Sequence, residues 1–367
     1  MKYTKWLFAL LLATILVTAC KKDKNDEPEE PSGPVTIRDS ILSSNLRLPW
    51  EITWGPDNFI WITERNGRIS RMNAATAETS TVFNVPDVAA EGEGGLLGMV
   101  LRGNATSPQV YIVYNYNQSG YKEKVVRYNY AAGTLSSPLT IIENIPASGI
   151  HNGSRLLIVG DKLFISTGDA NAASRAQDVN SLNGKILRLN LDGTIPSDNP
   201  VNGNPYWSMG HRNPQGLVFA NDKIYSSEHG PSNDDEVNII SKGGNFGWPD
   251  VEGLCNTASE QTFCAANNVI QPIKTWTPTT APSGLDYYNS NQIPQWKGSL
   301  LLTALKDARL YQLKLNAGND AVETTTEFFN NKYGRLRDLC ISPDGEVYIC
   351  TSNGNNDMII KVWGVAD

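Results

Sequence analysis

Short apolar runs rich in β-branched and aromatic residues recur along the chain from residue 36, and each run is bounded by a turn sequence. No segment keeps the 3.6-residue apolar period of an amphipathic helix. The clearest example is Leu217–Phe219, a turn at Ala220–Lys223 and then Ile224–Tyr225, which is typical of two antiparallel strands. The pattern therefore predicts an all-β protein.

This strand–turn–strand pattern occurs six times, at spacings of roughly fifty to seventy residues. Each copy shows three strands and leaves room for a fourth. The copies begin at Leu48, Gly95, Leu156, Gly210, Gly284 and Asp338. Six such units predict a six-bladed β-propeller with four-stranded antiparallel blades over residues 36–367. A pair of β-sandwiches is the alternative, but it gives no reason for six copies in one order.

The N-terminal segment is predicted to be a targeting signal. Lys2 and Lys5 precede the apolar run Trp6–Val17, and small residues precede Cys20. Residues 1–19 therefore resemble a lipoprotein signal peptide, and the polar residues 20–35 resemble a lipidated, disordered tether. We expect an exported lipoprotein held at the outer membrane through Cys20 alone, on the periplasmic face or the cell surface. A soluble signal peptide with a chance cysteine is the alternative.

Four further cysteines are consistent with disulfides in an exported protein. Cys255 and Cys264 close a short loop, whereas Cys340 and Cys350 flank a tight turn. Four cysteines allow three connectivities, of which we favour these two local bridges.

The net charge of −7 and the pI near 5.2 argue against nucleic acid as a partner. Polar residues with chemical potential instead fall at particular places in the repeat. In a propeller, the loop before the innermost strand and the loop after the second strand open on one face, near the axis. These loops carry Glu93, His151, Asp169, Arg212, Asn213, Lys306, Arg335 and Arg337. The convergence predicts a site on that face.

The four cations in this set, Arg212, Lys306, Arg335 and Arg337, suit a polyanionic small ligand. His151 and Asp169 form a candidate base and orienting carboxylate. Each of these two has a structural interpretation when taken alone, and only their common location favours a functional one.

Five motifs carry a family resemblance: HNGSRLLIVGDKLFISTGDAN, LNGKILRLNLDGTIPSDNP, GHRNPQG, SEHGPSNDDEVN and GGNFGWP. They resemble the soluble pyrroloquinoline-quinone (PQQ)-dependent glucose and aldose sugar dehydrogenases, and the similarity covers residues 48–364. The resemblance implies a six-bladed propeller that binds PQQ and Ca²⁺ over the axis. It further implies oxidation of the C1 hydroxyl of an aldose to the lactone, with electrons passing to an external acceptor.

The resemblance also implies residue roles. His151 would be the base, Asp169 would orient it, and Arg212 would stabilise the oxyanion that develops on the cofactor. PQQ would be bound by Arg212, Asn213, Lys306, Arg335, Arg337 and Glu93. Backbone carbonyls of Gly230 and Pro231 would ligate the calcium that bridges to PQQ, and Glu236 with the Phe246 carbonyl would bind a second, structural calcium. His211 and His229 are expected to be structural or peripheral.

Two residues depart from the family pattern: Glu93 stands where an amide is common, and Ser154 where a glycine is more usual. The loops are also short, which resembles the monomeric, broad-specificity aldose branch with an open site. Two other functions stay open, a carbohydrate- or protein-binding propeller and a calcium lactonase. The base with its orienting carboxylate disfavours the first, and arginines in place of a ring of carboxylates disfavour the second.

Overall fold

The computed structural model describes residues 33–366, and within that range the regular secondary structure is almost entirely β. Its strands form six four-stranded antiparallel sheets. The first strand of every repeat contributes to the wall of one axial cavity of about 180 Å³, so these strands are the innermost. The predicted six-bladed β-propeller is therefore confirmed.

The strands are numbered in chain order, and β1 spans Thr36–Leu46. Blade 1 contains β2 (Pro49–Trp54), β3 (Phe59–Glu64), β4 (Arg68–Asn73) and β5 (Thr79–Asn84). Blade 2 contains β6 (Leu96–Arg102), β7 (Gln109–Asn117), β8 (Tyr121–Ala131) and β9 (Thr134–Pro146). Blade 3 contains β10 (Gly153–Val159), β11 (Lys162–Thr167), β12 (Lys185–Asn190) and β13 (Tyr206–Met209).

The second half of the chain continues the same order. Blade 4 contains β14 (Pro214–Ala220), β15 (Lys223–Glu228), β16 (Asp235–Ile240) and β17 (Lys274–Trp276). Blade 5 contains β18 (Pro282–Tyr288), β19 (Ser299–Ala304), β20 (Arg309–Leu315) and β21 (Val322–Phe328). Blade 6 contains β22 (Leu336–Ile341), β23 (Val347–Thr351), β24 (Asp357–Val365) and the N-terminal strand β1. The helical segments are α1 (Ala258–Asn267) and two 3₁₀ turns, Ala173–Ala176 and Pro294–Trp296.

The ring is closed by strands from the two ends of the chain. β1 pairs antiparallel with β24, from Thr36 opposite Val365 to Leu46 opposite Asp357. Because β1 supplies the outermost strand of the last blade, the first and last blades are tied together through backbone hydrogen bonds. Most side chains of β1 are partly or fully exposed, so its sequence lacks the apolar run that identified the other strands.

Neighbouring blades pack through their apolar faces. Trp61 of β3 and Ile112 of β7 are fully buried in one cluster that joins blades 1 and 2. The Trp61 ring meets Tyr130 of β8 edge-on at 5.0 Å between centroids. Burial of each such side chain contributes about 1.5–3 kcal/mol. The packed blades form a rigid base for the loops at the axis.

The helix α1 lies in the connection between β16 and β17, and none of its residues is buried. Thr257 and Glu260 form a capping box at its N-terminus. Cys264 within the helix is bonded to Cys255 before it, so the first predicted disulfide is confirmed.

The second predicted disulfide is wrong, because Cys340 and Cys350 are free and buried. β22 and β23 do form the expected hairpin, but the register places Cys340 opposite Tyr348 and Cys350 opposite Asp338. The cysteines are therefore diagonal neighbours, with side chains about 7–8 Å apart in an ordinary ladder. A disulfide needs Cβ atoms about 3.5–4.5 Å apart.

The predicted signal peptide over residues 1–19, the lipidated Cys20 and the tether up to residue 32 lie outside the described residues. Within residues 33–366, no helix has the length and apolar character needed to cross a membrane.

Candidate functional site

His151 and Asp169 meet on one face of the propeller, at the axis. His151 lies in the loop that leads into β10, and Asp169 lies in the loop that follows β11. The His151 Nδ1 is 2.9 Å from Asp169 Oδ1. The His151 side chain is 15% exposed, and its Nε2 makes no hydrogen bond to any residue in the range 33–366. With Nδ1 donating to the carboxylate, Nε2 is left with a free lone pair.

The Asp169 carboxylate is held from three directions. Its Oδ1 also accepts the Asn171 backbone N–H at 2.8 Å, and its Oδ2 accepts the Trp248 indole N–H at 2.9 Å. The side chain is 2% exposed. An acceptor that is saturated by donors in this way keeps one orientation, and so fixes the tautomer and position of the His151 ring.

The loop that carries His151 has a left-handed backbone at His151 itself, where φ is 58°. Its backbone N–H lies 3.3 Å from the Glu93 carboxylate, which accepts it. The Asn213 side-chain oxygen accepts a hydrogen bond from the Gly153 backbone N–H at 3.1 Å. Asn213 is therefore a buried support of this loop, and its predicted contact with PQQ stays a prediction.

A cavity of about 400 Å³ opens beside this loop. Its wall includes Arg65, Glu93, Gln215, His229, Arg335 and Arg337. Small-molecule sites usually enclose about 300–1,000 Å³. The volume is therefore sufficient for a ligand of cofactor size.

Arg337 is a buried cation without a carboxylate partner. It is 9% exposed, and its Nη1 donates to Gln215 Oε1 at 2.7 Å and to Ser283 Oγ at 3.2 Å. Its Nε is buried and has no partner among the described residues. Burial lowers the pKa of Arg337 to about 10, so the group is still charged at neutral pH. A buried cation of this kind is costly unless an anion compensates it.

The other cations on this face of the propeller also lack ion pairs within the described residues. Within residues 33–366, no salt bridge is formed by Arg65, Arg212, Lys306, Arg335 or Arg337. Four of these cations were predicted to bind a polyanion, and the structure leaves all of them without a protein carboxylate.

Arg212 and Lys306 differ in exposure: Arg212 is half-buried, whereas Lys306 is exposed. The Arg212 guanidinium carbon lies 5.3 Å from the centre of the Trp248 ring, and its Nη1 donates to the His229 carbonyl at 3.2 Å. Burial lowers the pKa of Arg212 as well, and its Nε is buried without a partner in the described part of the chain. Lys306 is exposed and donates to Thr279 Oγ at 2.8 Å. Lys306 is thus at the rim of the face, next to Leu305 in the cavity wall.

A second, much smaller cavity of about 10 Å³ has room for one water-sized particle. All four predicted metal-binding residues line it: Gly230, Pro231, Glu236 and Phe246. The predicted pair of calcium sites is thus brought to one place. No three His, Cys, Asp or Glu side chains in residues 33–366 form a metal cluster, so the predicted ligation depends on backbone carbonyl oxygens together with the single Glu236 carboxylate.

Further carboxylates surround the small cavity, namely Glu228, Asp234 and Glu252. Burial, followed by repulsion from Glu228, raises the pKa of Glu236 to about 8. A buried carboxyl among other carboxyls is stabilised by a cation, and hard cations such as calcium prefer oxygen ligands. The residues present therefore fit a calcium ion.

The two other histidines differ from each other. His211 is fully buried, and its ring nitrogens lie 2.9 Å from Glu228 Oε2 and 2.9 Å from Ser208 Oγ, so the structural role predicted for it is confirmed. His229, predicted to be structural or peripheral, lines both cavities and so is not peripheral, and the structural role stays a prediction. Burial, with Arg337 nearby, lowers the pKa of His229 to about 3, and its Nε2 is buried without a partner in residues 33–366.

Three residues of the site were missed in the sequence: Arg65, Gln215 and Trp248. Arg65 immediately follows the second strand of blade 1 and its Nε donates to the Gly94 carbonyl at 2.9 Å, so its position in the repeat was the available signal. Gln215 and Trp248 lie in the motifs GHRNPQG and GGNFGWP, but only the tertiary structure shows that their side chains reach Arg337 and Asp169.

Comparison with known proteins yields consistent matches. Residues 46–360 match the family described as glucose/sorbosone dehydrogenase. The chain is 32% identical to quinoprotein glucose dehydrogenase B of Acinetobacter calcoaceticus, over 86% of this chain and 85% of that protein. It is also 32% identical to the aldose sugar dehydrogenase YliI of Escherichia coli, over 89% and 93%.

Solved structures give the same result. The apo form of the soluble aldose sugar dehydrogenase from Escherichia coli matches with a TM-score of 0.79 and 31% identity, over 89% of this chain and 99% of that one. The PQQ-bound aldose sugar dehydrogenase from Streptomyces coelicolor matches with a TM-score of 0.75 and 29% identity, over 90% and 99%.

Proposed function

The chain belongs to the glucose/sorbosone dehydrogenase family of soluble quinoprotein sugar dehydrogenases, and we propose that it oxidises the C1 hydroxyl of aldoses to lactones with PQQ and Ca²⁺. The observation that carries the proposal is the cavity of about 400 Å³ beside a histidine–carboxylate pair; its wall includes Arg65, Arg335 and the buried Arg337, none of which forms a salt bridge within residues 33–366. An enzyme of this type needs both an anion-binding cavity and a base.

PQQ fits the unpaired groups of this cavity. It is a quinone that carries carboxylates, and the buried Nε atom of Arg337 in the cavity wall has no acceptor among residues 33–366. The buried Nε atom of Arg212, which lines the small cavity, likewise has no acceptor in that range. Arg335 and Arg337 in the cavity wall would bind the carboxylates of PQQ. When bound, PQQ supplies the electron acceptor that takes the hydride from the sugar carbon.

His151 would take the proton of the sugar C1 hydroxyl at Nε2, the nitrogen that Asp169 leaves free. Asp169 would stabilise the imidazolium that results, and Trp248 with Asn171 would keep the carboxylate in place. Arg212 lies close enough to Asp169 to feel its charge, so it would offset negative charge that develops next to the base.

Calcium would be held by the carbonyls of Gly230 and Pro231, and Glu236 with the Phe246 carbonyl lines the same small cavity. Its charge would compensate the carboxyls around that cavity. A cation there would also strengthen the positive field toward an anionic cofactor.

The direct test is reconstitution of the purified protein with PQQ and calcium, with dye reduction followed for several aldoses. We expect reduction that depends on both additions, and quinone absorbance that stays with the protein after desalting. His151→Ala should keep the absorbance and lose at least about a hundredfold in kcat. Failure of every aldose to reduce the dye, together with no retained quinone, would refute the proposal.

A further inference from the structure

Glu123 on β8 is a buried acid directly behind the loop that carries His151. It is 1% exposed and forms no salt bridge with residues 33–366. One carboxyl oxygen is hydrogen-bonded to Ser154 Oγ, and the other is buried without a partner in the described residues. Asn115 stands directly opposite on β7, and its Nδ2 is also buried without a partner in that range.

Among the described residues, no cation compensates the charge of Glu123. Tyr121 is the titratable neighbour that feels its charge; burial raises the pKa of Tyr121 to about 12, and Glu91 and Arg65 also act on that phenol. The flanking Lys122 and Lys124 are engaged elsewhere, by Asn144 at 2.8 Å and Asp87 at 2.6 Å. Burial raises the pKa of Glu123 itself to about 8, so the acid is neutral at pH 7.

Ser154 connects this acid to the loop. It is fully buried, and its backbone is left-handed with φ of 72°, as is that of Gly153 with φ of 71°. A left-handed backbone is unfavourable for serine, so neighbouring contacts must stabilise it. Its Oγ lies 3.3 Å from the carbonyl oxygen of Asn152, the residue next to His151.

These contacts define a hydrogen-bond chain whose direction depends on one proton. With Glu123 neutral, its O–H donates to Ser154 Oγ, and the serine hydroxyl donates to the Asn152 carbonyl. With Glu123 ionised, the serine hydroxyl must donate to the carboxylate, and the bond to Asn152 is lost.

We propose that Glu123 is a positioning residue that acts through Ser154 on the loop carrying His151. The kinetic part of this inference rests on the proposed function, whereas the structural part does not.

The first test compares melting temperatures of the cofactor-free wild type, Glu123→Gln and Glu143→Gln between about pH 5 and 9. The pKa of Glu123 is raised to about 8 in the folded state, whereas the unfolded chain releases the proton near the ordinary glutamate pKa of 4.5. Wild-type stability should therefore fall as pH rises through this window. Glu123→Gln has no carboxyl to ionise, so its stability should not fall in this way. The melting temperature of Glu123→Gln minus that of the wild type should therefore increase by several degrees from pH 5 to 9.

Glu143→Gln is the matched control, because Glu143 is exposed in the same blade and should follow the wild type throughout. Parallel curves for wild type and Glu123→Gln across the whole range would overturn the proposal.

The second test measures the environment of the His151 ring by NMR. The protein has three histidines, so isotope labelling of histidine gives three ring signals by NMR. Ser154→Ala should shift the His151 signal and leave that of His211 in place. In the reconstituted enzyme, Ser154→Ala and Glu123→Leu should lower kcat about tenfold with little change in KM, and Glu123→Gln, which still donates, should lose less.

An unshifted His151 signal in a folded Ser154→Ala variant would overturn the proposal. Absence of sugar oxidation by the wild type would instead refute the proposed function, and the melting and NMR comparisons would still decide the role of Glu123.

Discussion

His151 illustrates what single residues contribute to this site. One ring nitrogen is hydrogen-bonded to the Asp169 carboxylate, which Asn171 and Trp248 also hold in place, and the other has no hydrogen-bond partner within residues 33–366. The arginines on this face are individually ordinary, but they form no salt bridge within residues 33–366, and the Nε atoms of Arg212 and Arg337 are buried without a partner there. The reactivity of the His151–Asp169 pair therefore depends on neighbouring residues that cannot be deduced from either member of the pair alone.

Asp169→Asn tests the orientation of His151. An amide cannot accept on both sides, so its NH₂ group must face the donor of either His151 or Trp248. We expect kcat to fall about 10²–10⁴-fold, with KM much less affected, in steady-state assays of the reconstituted enzyme.

Asp161→Asn is the control, because Asp161 is exposed in the turn between β10 and β11, at the opposite end of these strands. If Asp169→Asn kept wild-type kcat, the carboxylate would have no part in orienting the base.

At the scale of elements, the connection between β16 and β17 stands apart from the repeat. This connection contains α1, none of whose residues is buried. The part of the connection that precedes α1 supplies Trp248 and Glu252 to the wall of the small cavity. Because α1 has no core of its own, its order depends on the capping box and on the Cys255–Cys264 bridge.

Replacement of both Cys255 and Cys264 by serine should free α1 while the blades stay folded. A bridge over so short a loop contributes at most about 2–3 kcal/mol, and the effect should be local. Hydrogen exchange of the amides in residues 258–267 should accelerate at least tenfold. Unchanged exchange there would show that the capping box suffices, and faster exchange in β14 and β15 would show that the effect is not local.

At the scale of the whole molecule, one arginine joins several blades across the axis. Arg155 of β10 binds Glu51 of β2 at 2.6 Å and Asp338 of β22 at 3.0 Å, and its Nε donates to the Gln215 carbonyl of β14 at 2.8 Å. Gln215 in turn accepts from Arg337. This cluster forms the floor beneath the larger cavity, so stability and site geometry share it.

Arg155→Met should destabilise the protein by about 3–5 kcal/mol in chemical denaturation, because Glu51 and Asp338 lose their buried cation. Burial already raises the pKa of Glu51 well above its usual range. The triple variant that adds Glu51→Gln and Asp338→Asn should recover much of the loss. Equal stability of Arg155→Met and wild type would show that the ion pairs contribute nothing net.

The propeller and the face of its site were predictable from the chain because both depend on local patterns. Apolar runs and turns recur in order, and loops at fixed positions in the repeat must open on one face. His151, Asp169, Arg335 and Arg337 followed from that rule. The prediction of a disulfide between Cys340 and Cys350 was wrong because a hairpin pattern does not specify which residues face each other across the two strands.

The sequence by itself determined the six-fold repeat and the loops that carry the chemistry, and it favoured the local Cys255–Cys264 bridge without deciding it. The tertiary structure alone decided that β1 closes the ring, that His229 lies between the two cavities and that Glu123 supports the loop of His151. The physical reason is that these contacts join residues from different strands or blades. Burial and register set them, and neither has a local signature in the chain.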